Sequence, residues 1–396
     1  MKPGENIIAE SGLAPFFKVA NRDAIGLVPP TIRKGDAIRT WVRSLAGFQK
    51  EALVASARSG DVWRLVSDEG AYLSGHDAAP CPLAFLTTGM VAAYMDEITA
   101  LAAEKGVAFR KLRLIQNNFY SMTGSMRQRT MVGSALPVEL EVEVDCDLED
   151  AALNELLIGA VHASPLNGLM RGQLASLFTL TKNGAQLTTA EAEALDAPVA
   201  TDPSGAAPEP AISDLPLIER FGMSPEKAVS KGTNAPGSSL VDNQDRYLNP
   251  AGICTLREDG IKEIEQHLYS PHGSIFRFLS EESEAAGGQG RAPDAVSYIS
   301  AGIGFCFMTQ FGRMAMMEKL DLPHYSIVQD THFSLGGASG GTGKAGEADP
   351  VETHVHLTTT EPDGMARDML DMSEKTCFLH AFCRTDLKTK LKITRL

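Results

Sequence analysis

Apolar positions along the chain change period several times, and each change predicts an element. Between 38 and 45 and between 49 and 58, on either side of Ala46-Gly47, they come in the short runs of a hairpin. "VWRLVSDE" (62–69) reads as a third strand. After a Gly/Pro stretch at 75–82, the segment 83–104 has no proline and no charge before Asp96. That predicts a long, largely buried helix. "FRKLRLIQNNFYSM" and "PVELEVEV" follow as strands, and the second alternates cleanly. Val138, Leu140, Val142 and Val144 face one way; Glu139, Glu141 and Glu143 face the other. "LEDAALNELLIGAVHAS" predicts an amphipathic helix and "LASLFTLTK" a closing strand. The order βββ-α-ββ-α-β predicts an α+β unit, an antiparallel sheet around a buried helix.

The pattern then repeats. At an offset of 213, residues 36 to 183 align without a gap with 249 to 396. Gly47 meets Gly260, Gly89 meets Gly302, Arg64 meets Arg277, and "LVSDE" (65–69) meets "FLSEE" (278–282). "PVELEVEV" meets "PVETHVHL" (350–357). The expected organisation is an N-terminal extension (1–35), a first unit (36–190), a linker and pre-domain segment (191–248), and a second unit (249–396). Within the third of these, "LDAPVATDPSGAAPEPAISD" (195–214) has the composition of a solvated linker.

Charge and composition narrow the function classes. The 396 residues carry a formal net charge of −14, which argues against nucleic acid or an anionic membrane as the main partner. No apolar run approaches the ~20 residues of a membrane span, and the N-terminus lacks a signal-peptide pattern. The expected compartment is the cytoplasm. Six cysteines, none in a CxxC pair, are too sparse for a disulfide scaffold; in a reducing compartment the interesting ones are reactive.

Two of the six occupy telling places. Cys306 lies inside the apolar segment "SAGIGFCFMTQFGRMAMMEK", and Cys377 lies 71 residues later in "MSEKTCFLHAF". The first unit has Ala93 and Ser164 there, also 71 apart, the serine in "VHASPLNGL". One unit has both thiols and the other has neither. A buried helix led by proline and carrying a cysteine, then strands, then a second cysteine at a helix junction, resembles the OsmC/Ohr family of thiol peroxidases (osmotically inducible protein C and organic hydroperoxide resistance protein). The resemblance covers both units. It implies that Cys306 attacks a peroxide and that Cys377 resolves the sulfenic acid as a disulfide. An organic hydroperoxide is the implied substrate and an external dithiol, thioredoxin-like or lipoyl-type, the implied reductant. No cofactor is implied.

Family members also support the thiolate with an arginine from an early hairpin. "LREDG" (256–260) is similar to that turn and makes Arg257 the candidate, with Arg291 in "GGQGRAPD" as the fallback. A glutamate follows the family's proline; here Asp294 follows Pro293, thirteen residues before Cys306, whereas Pro82 lies eleven before Ala93. Intertwined homodimers are usual in the family, so the tandem is expected to form a pseudo-dimer within one chain, with a homodimer of such chains left open.

Other features have plainer readings. Cys81, Cys146, Cys254 and Cys383 are read as structural. "GGASGGTGKAG" (336–346) fails a P-loop at both ends, with Ala338 and Ala345 where Gly and Ser/Thr are needed; it reads as a flexible loop. "HVH" (354–356) meets Glu141 and Glu143 of the first unit, so an inter-unit or solvated surface is favoured over a metal pair. Two functions remain in view: a cysteine peroxidase, and a non-catalytic relative binding a hydrophobic small molecule at the pseudo-dimer interface.

Overall fold

The computed structural model describes residues 4–225 and 239–396. Short N-terminal elements come first: α1 (Ile7–Glu10), β1 (Phe17–Lys18) and α2 (Arg22–Ile25). Then come β2 (Asp36–Ser44), β3 (Lys50–Ser56), β4 (Val62–Ser67) and α3 (Pro82–Glu104). They are followed by β5 (Lys111–Ser125), β6 (Val132–Asp145), α4 (Asp150–Ala163), α5 (Leu166–Arg171) and β7 (Ser176–Lys182). The connecting segment carries β8 (Ala185–Leu187) and β9 (Ile218–Met223). The order then recurs: β10 (Asn243–Leu256), β11 (Lys262–Ser270), β12 (Ser274–Ser280) and α6 (Ala295–Glu318). β13 (His324–Phe333), β14 (Val351–Thr358), α7 (Asp363–Thr376), α8 (Phe378–Arg384) and β15 (Thr389–Arg395) complete it.

The protein is α+β, but neither half keeps its strands to itself. One sheet runs β1-β4-β3-β2-β13-β14-β7-β8 and the other β15-β6-β5-β10-β11-β12-β9. The two strands after each long helix therefore join the opening strands of the other half. Pairing is antiparallel except at β14–β7 and β15–β6, which are parallel. Each of those pairs joins strands from opposite halves. At the tips of the first hairpins, Gly47 and Gly260 both take positive φ, 54° and 86°, which explains why glycine recurs there.

Between the sheets lie α3 and α6, apolar all round and buried almost throughout. They touch at their glycines. A Cβ on Gly89 would lie 2.5 Å from the Ala295 carbonyl, and one on Gly302 would lie 2.7 Å from the Leu86 nitrogen. Close approach of two backbones needs this. The linker is less free than its composition suggests. Leu195 N–H donates to the Phe178 carbonyl at 2.7 Å, and Ala211 N–H donates to that of Lys18 at 2.8 Å. Apolar neighbours such as Ala192 and Ala206 pack on the core clusters. Among the described residues, no helix is long and apolar enough to cross a membrane.

Candidate functional site

α6 carries Cys306 at its middle, and the α7–α8 junction carries Cys377; the fold brings the two together. They are 2% and 0% exposed, and the thiols lie close enough for Cys377 to bear on the ionisation of Cys306. Cys377 caps α8, its sulfur accepting the His380 N–H at 3.4 Å. Burial pushes the Cys306 thiol well up from its usual range, and the neighbouring Cys377 thiol adds to that; the Leu379 N–H opposes it.

The pocket around Cys306 is built from both halves. Cys81, Leu83, Glu69 and Tyr72 come from the first, and Leu248, Leu268 and Phe378 from the second. A polar chain runs through it. The Lys50 Nζ donates to Thr309 Oγ1 at 2.9 Å, and that hydroxyl donates to Glu69 Oε1 at 2.9 Å. The Tyr72 hydroxyl donates to Glu69 Oε2 at 2.7 Å. Burial raises the Glu69 carboxyl above its usual range, opposed first by the Lys50 charge. Burial lowers Lys50, while Glu69, Asp68 and Cys306 favour its charged form. Arg246 and Arg313 also line the pocket. Arg313 is 2% exposed, and burial together with the Arg246 charge pushes it down to about 9.

The other residues singled out from sequence lie elsewhere. Arg257 is at the β10–β11 turn, nine positions beyond Leu248, or roughly 30 Å along the strand. There it is partly exposed and paired with Asp259 at 3.1 Å. Arg291 bonds Glu281 at 2.6 Å and the Asp259 carbonyl at 2.9 Å. Asp294 caps α6, accepting the Ser297 N–H at 2.9 Å. Its distance from Cys306 is twelve helical residues, roughly 18 Å. The fold therefore brings none of these three to the thiol pair. Lys50, Glu69, Arg246 and Arg313 are the charges it places there. The signal in sequence was available: Arg313 interrupts an otherwise apolar helix, and Glu69 ends a buried strand run.

Asp294 instead lines a second pocket, and its walls sit 213 positions from those of the first. Ala93 stands for Cys306, Asp96 for Thr309, Glu97 for Gln310, Glu282 for Glu69, Asp294 for Cys81 and Pro165 for Phe378. This pocket is acidic, with Asp36 added. Lys262 pairs with Asp96. Burial, then the Asp96 charge, pushes Glu282 up to about 8. Burial, then the Asp294 charge, pushes Asp36 up to about 7.

Two further motifs find partners within the chain. The 336–346 loop turns its amides on Glu97, the Ala338 N–H donating to Oε2 at 2.8 Å. His354 and His356 sit across the β14–β7 pair from Thr179 and Thr181, each Nδ1 at 2.8 Å from the hydroxyl. Among the described residues no group of three His, Cys, Asp or Glu could hold a metal ion. All six cysteines are free.

Comparison with known families bears on the half that holds the thiols. Residues 288–392 match the family model described as OsmC-like protein. This stretch is OsmC-like. It spans α6, both cysteines and the start of β15. A crystal structure of an OsmC-like hydroperoxide resistance protein from Jannaschia sp. CCS1 is 19% identical, covering 33% of this chain and 79% of that one, with a TM-score of 0.18. That likeness is too slight to carry an argument. No curated protein matches the chain.

Proposed function

We propose that the protein is a thiol peroxidase for organic hydroperoxides, acting at Cys306 and Cys377 in a reducing, cytoplasmic setting. The observation that carries this reading is that the two buried thiols of the OsmC-like stretch lie close enough for one to bear on the ionisation of the other. The Cys306 thiolate attacks the terminal peroxide oxygen, the O–O bond breaks, and the alkoxide leaves and is protonated to the alcohol. The resulting sulfenic acid is then attacked by the Cys377 sulfur; an S–S bond forms and water leaves. A dithiol returns two electrons and two protons by exchange. Burial favours the protonated form of Cys306, so a positive charge on Lys50 and the Leu379 N–H are what support the thiolate when it forms. The leucine-lined wall suits an alkyl group, whose burial contributes about 25 cal/mol per Å².

The same reading includes duplication of an ancestral unit. Its support is that two pockets use equivalent positions and that the first has lost its thiols. A non-catalytic binding role is the rival, favoured by the strongly raised Cys306 thiol. Thiol titration and intact mass after one equivalent of an alkyl hydroperoxide separate the two. Peroxidase chemistry removes two thiols and two mass units; unchanged thiols leave only the binding role.

A further inference from the structure

A disulfide between Cys306 and Cys377 would be closed to a large reductant, because both sulfurs are buried. Exchange needs a thiolate in contact with one of the bonded sulfurs. Of the six cysteines, Cys81 is half-buried and the other five are buried. Cys81 lines the Cys306 pocket. It also lines an adjoining hollow with Asp77, Pro250, His267 and Phe276. One thiol therefore borders both spaces.

The helix crossing explains how Cys81 comes to be there. A Cβ on Gly89 would meet Ala295 and Ile299, and one on Gly302 would meet Leu86, so α3 and α6 pass each other in opposite directions. One turn beyond the Gly302–Leu86 contact, α6 reaches Cys306 and α3 reaches Pro82, the neighbour of Cys81. In the other half Ala93 packs with Ala295, and these two sit 213 positions from Cys306 and Pro82. Helix stability does not account for the cysteine. Cys81 is the N-cap of α3 and its side chain makes no capping bond, whereas Asp294, 213 positions later, caps α6. Burial, then the Glu69 charge, pushes the Cys81 thiol up to about 12, and the amides of Ala84 and Leu83 oppose this. Burial lowers Lys50, but Cys81 and Cys306 both favour its charged form. One ammonium thus favours a thiolate at either sulfur.

We propose that Cys81 is a third redox thiol, which takes the disulfide from the buried pair and presents it to the external dithiol. The inference rests on the peroxidase reading for how that disulfide arises. The Cys81 thiolate attacks the Cys306 sulfur, the Cys81–Cys306 bond forms and the Cys306–Cys377 bond breaks. Cys377 leaves as a thiolate and takes up the proton that Cys81 gave up. One thiolate of the reductant then attacks the Cys81 sulfur, and Cys306 leaves and is protonated. The reductant's second thiol displaces Cys81 and closes the reductant's own disulfide, so both electrons come from the dithiol. The half that has lost its own thiol pair supplies the relay for the other.

The test needs no peroxide. The full chain is oxidised to one disulfide with diamide, then treated with glutathione, a monothiol, and the products are quenched in acid, alkylated and mapped as peptides. Before glutathione, a Cys81–Cys306 disulfide is expected alongside Cys306–Cys377. After it, the glutathione adduct is expected on Cys81. Oxidised Cys81→Ser and Cys81→Ala chains should react with glutathione about tenfold or more slowly. An adduct on Cys306 or Cys377 overturns the proposal, as does no adduct, no disulfide from diamide, or a rate that neither substitution changes. If neither substituted chain folds, the position of the adduct in the unsubstituted chain decides alone. Cumene hydroperoxide is the separate check on the peroxidase reading. If it leaves all six thiols free while diamide closes the disulfide, that reading fails and the result at Cys81 stands.

Discussion

Two pockets whose walls lie 213 positions apart in sequence differ sharply in chemistry. Around Cys306 the walls are leucines, a phenylalanine, two arginines and one carboxylate held in a hydrogen-bonded chain. Around Ala93 they include five carboxylates, Asp36, Asp96, Glu97, Glu282 and Asp294, against one arginine, Arg58, with Lys262 on Asp96. The comparison teaches that a thiol alone does not make a redox site: the charge around it decides whether a thiolate can form. The carboxylates of the second pocket would oppose one, and burial there favours their own protonated forms.

The largest expected effect comes from removing the thiol pair. Cys306→Ser abolishes disulfide formation on peroxide treatment, read as six unchanged thiols less the substituted one. Cys377→Ser leaves a Cys306 sulfenic acid that dimedone traps, read as a mass adduct. Next comes transplantation: Ala93→Cys with Ser164→Cys, in the Cys306→Ser chain, rebuilds the pair among carboxylates. Its reaction with cumene hydroperoxide is expected to be at least about 100-fold slower than that of Cys306, since each pKa unit is tenfold in thiolate. A comparable rate would show that the surrounding charge is irrelevant.

The fold was largely legible, and the charged part of the site was not. Hydrophobic period located the strands and both long helices, because alternation and apolar runs report which face is buried. The 213-residue offset paired Gly89 with Gly302, and the model shows these two where the helices cross. Arg257 and Asp294 rest on motif likeness along the chain, yet charge at a thiol is set by neighbours across space. Lys50 and Glu69 come from the first half and reach Cys306 only because the halves interleave.

A smaller effect sharpens the role of that network. Glu69 disfavours the Cys306 thiolate, so Glu69→Gln should speed alkylation of Cys306 by iodoacetamide at pH 7, several-fold and up to about tenfold. Lys50→Met should slow it. An unchanged rate in both would detach the polar chain from the thiol.

The smallest effect lies in stability against pH and belongs to the acidic pocket. Asp36 and Glu282 are raised to about 7 and about 8 in the folded protein, above their values of roughly 4 when unfolded. The folded state therefore binds more protons between these limits. Its stability is greatest at the acidic end and falls as pH rises through 7 and 8. The melting temperature should drop by about a few degrees from pH 5.5 to 8.5. Asp36→Asn with Glu282→Gln should flatten the slope.

The interleaved sheets have a consequence for synthesis. When residue 190 leaves the ribosome, β2 has no partner on its β13 side, β5 has none on its β10 side, and α3 has no α6 to cross. The first half must wait in that state while about 200 more residues are made, some tens of seconds at ordinary translation rates. Two nascent chains on one message hold the same open edges and the same missing partner. Each can accept the other's second half, so a chain built as one molecule carries the topology of an exchanged dimer from the moment it is translated.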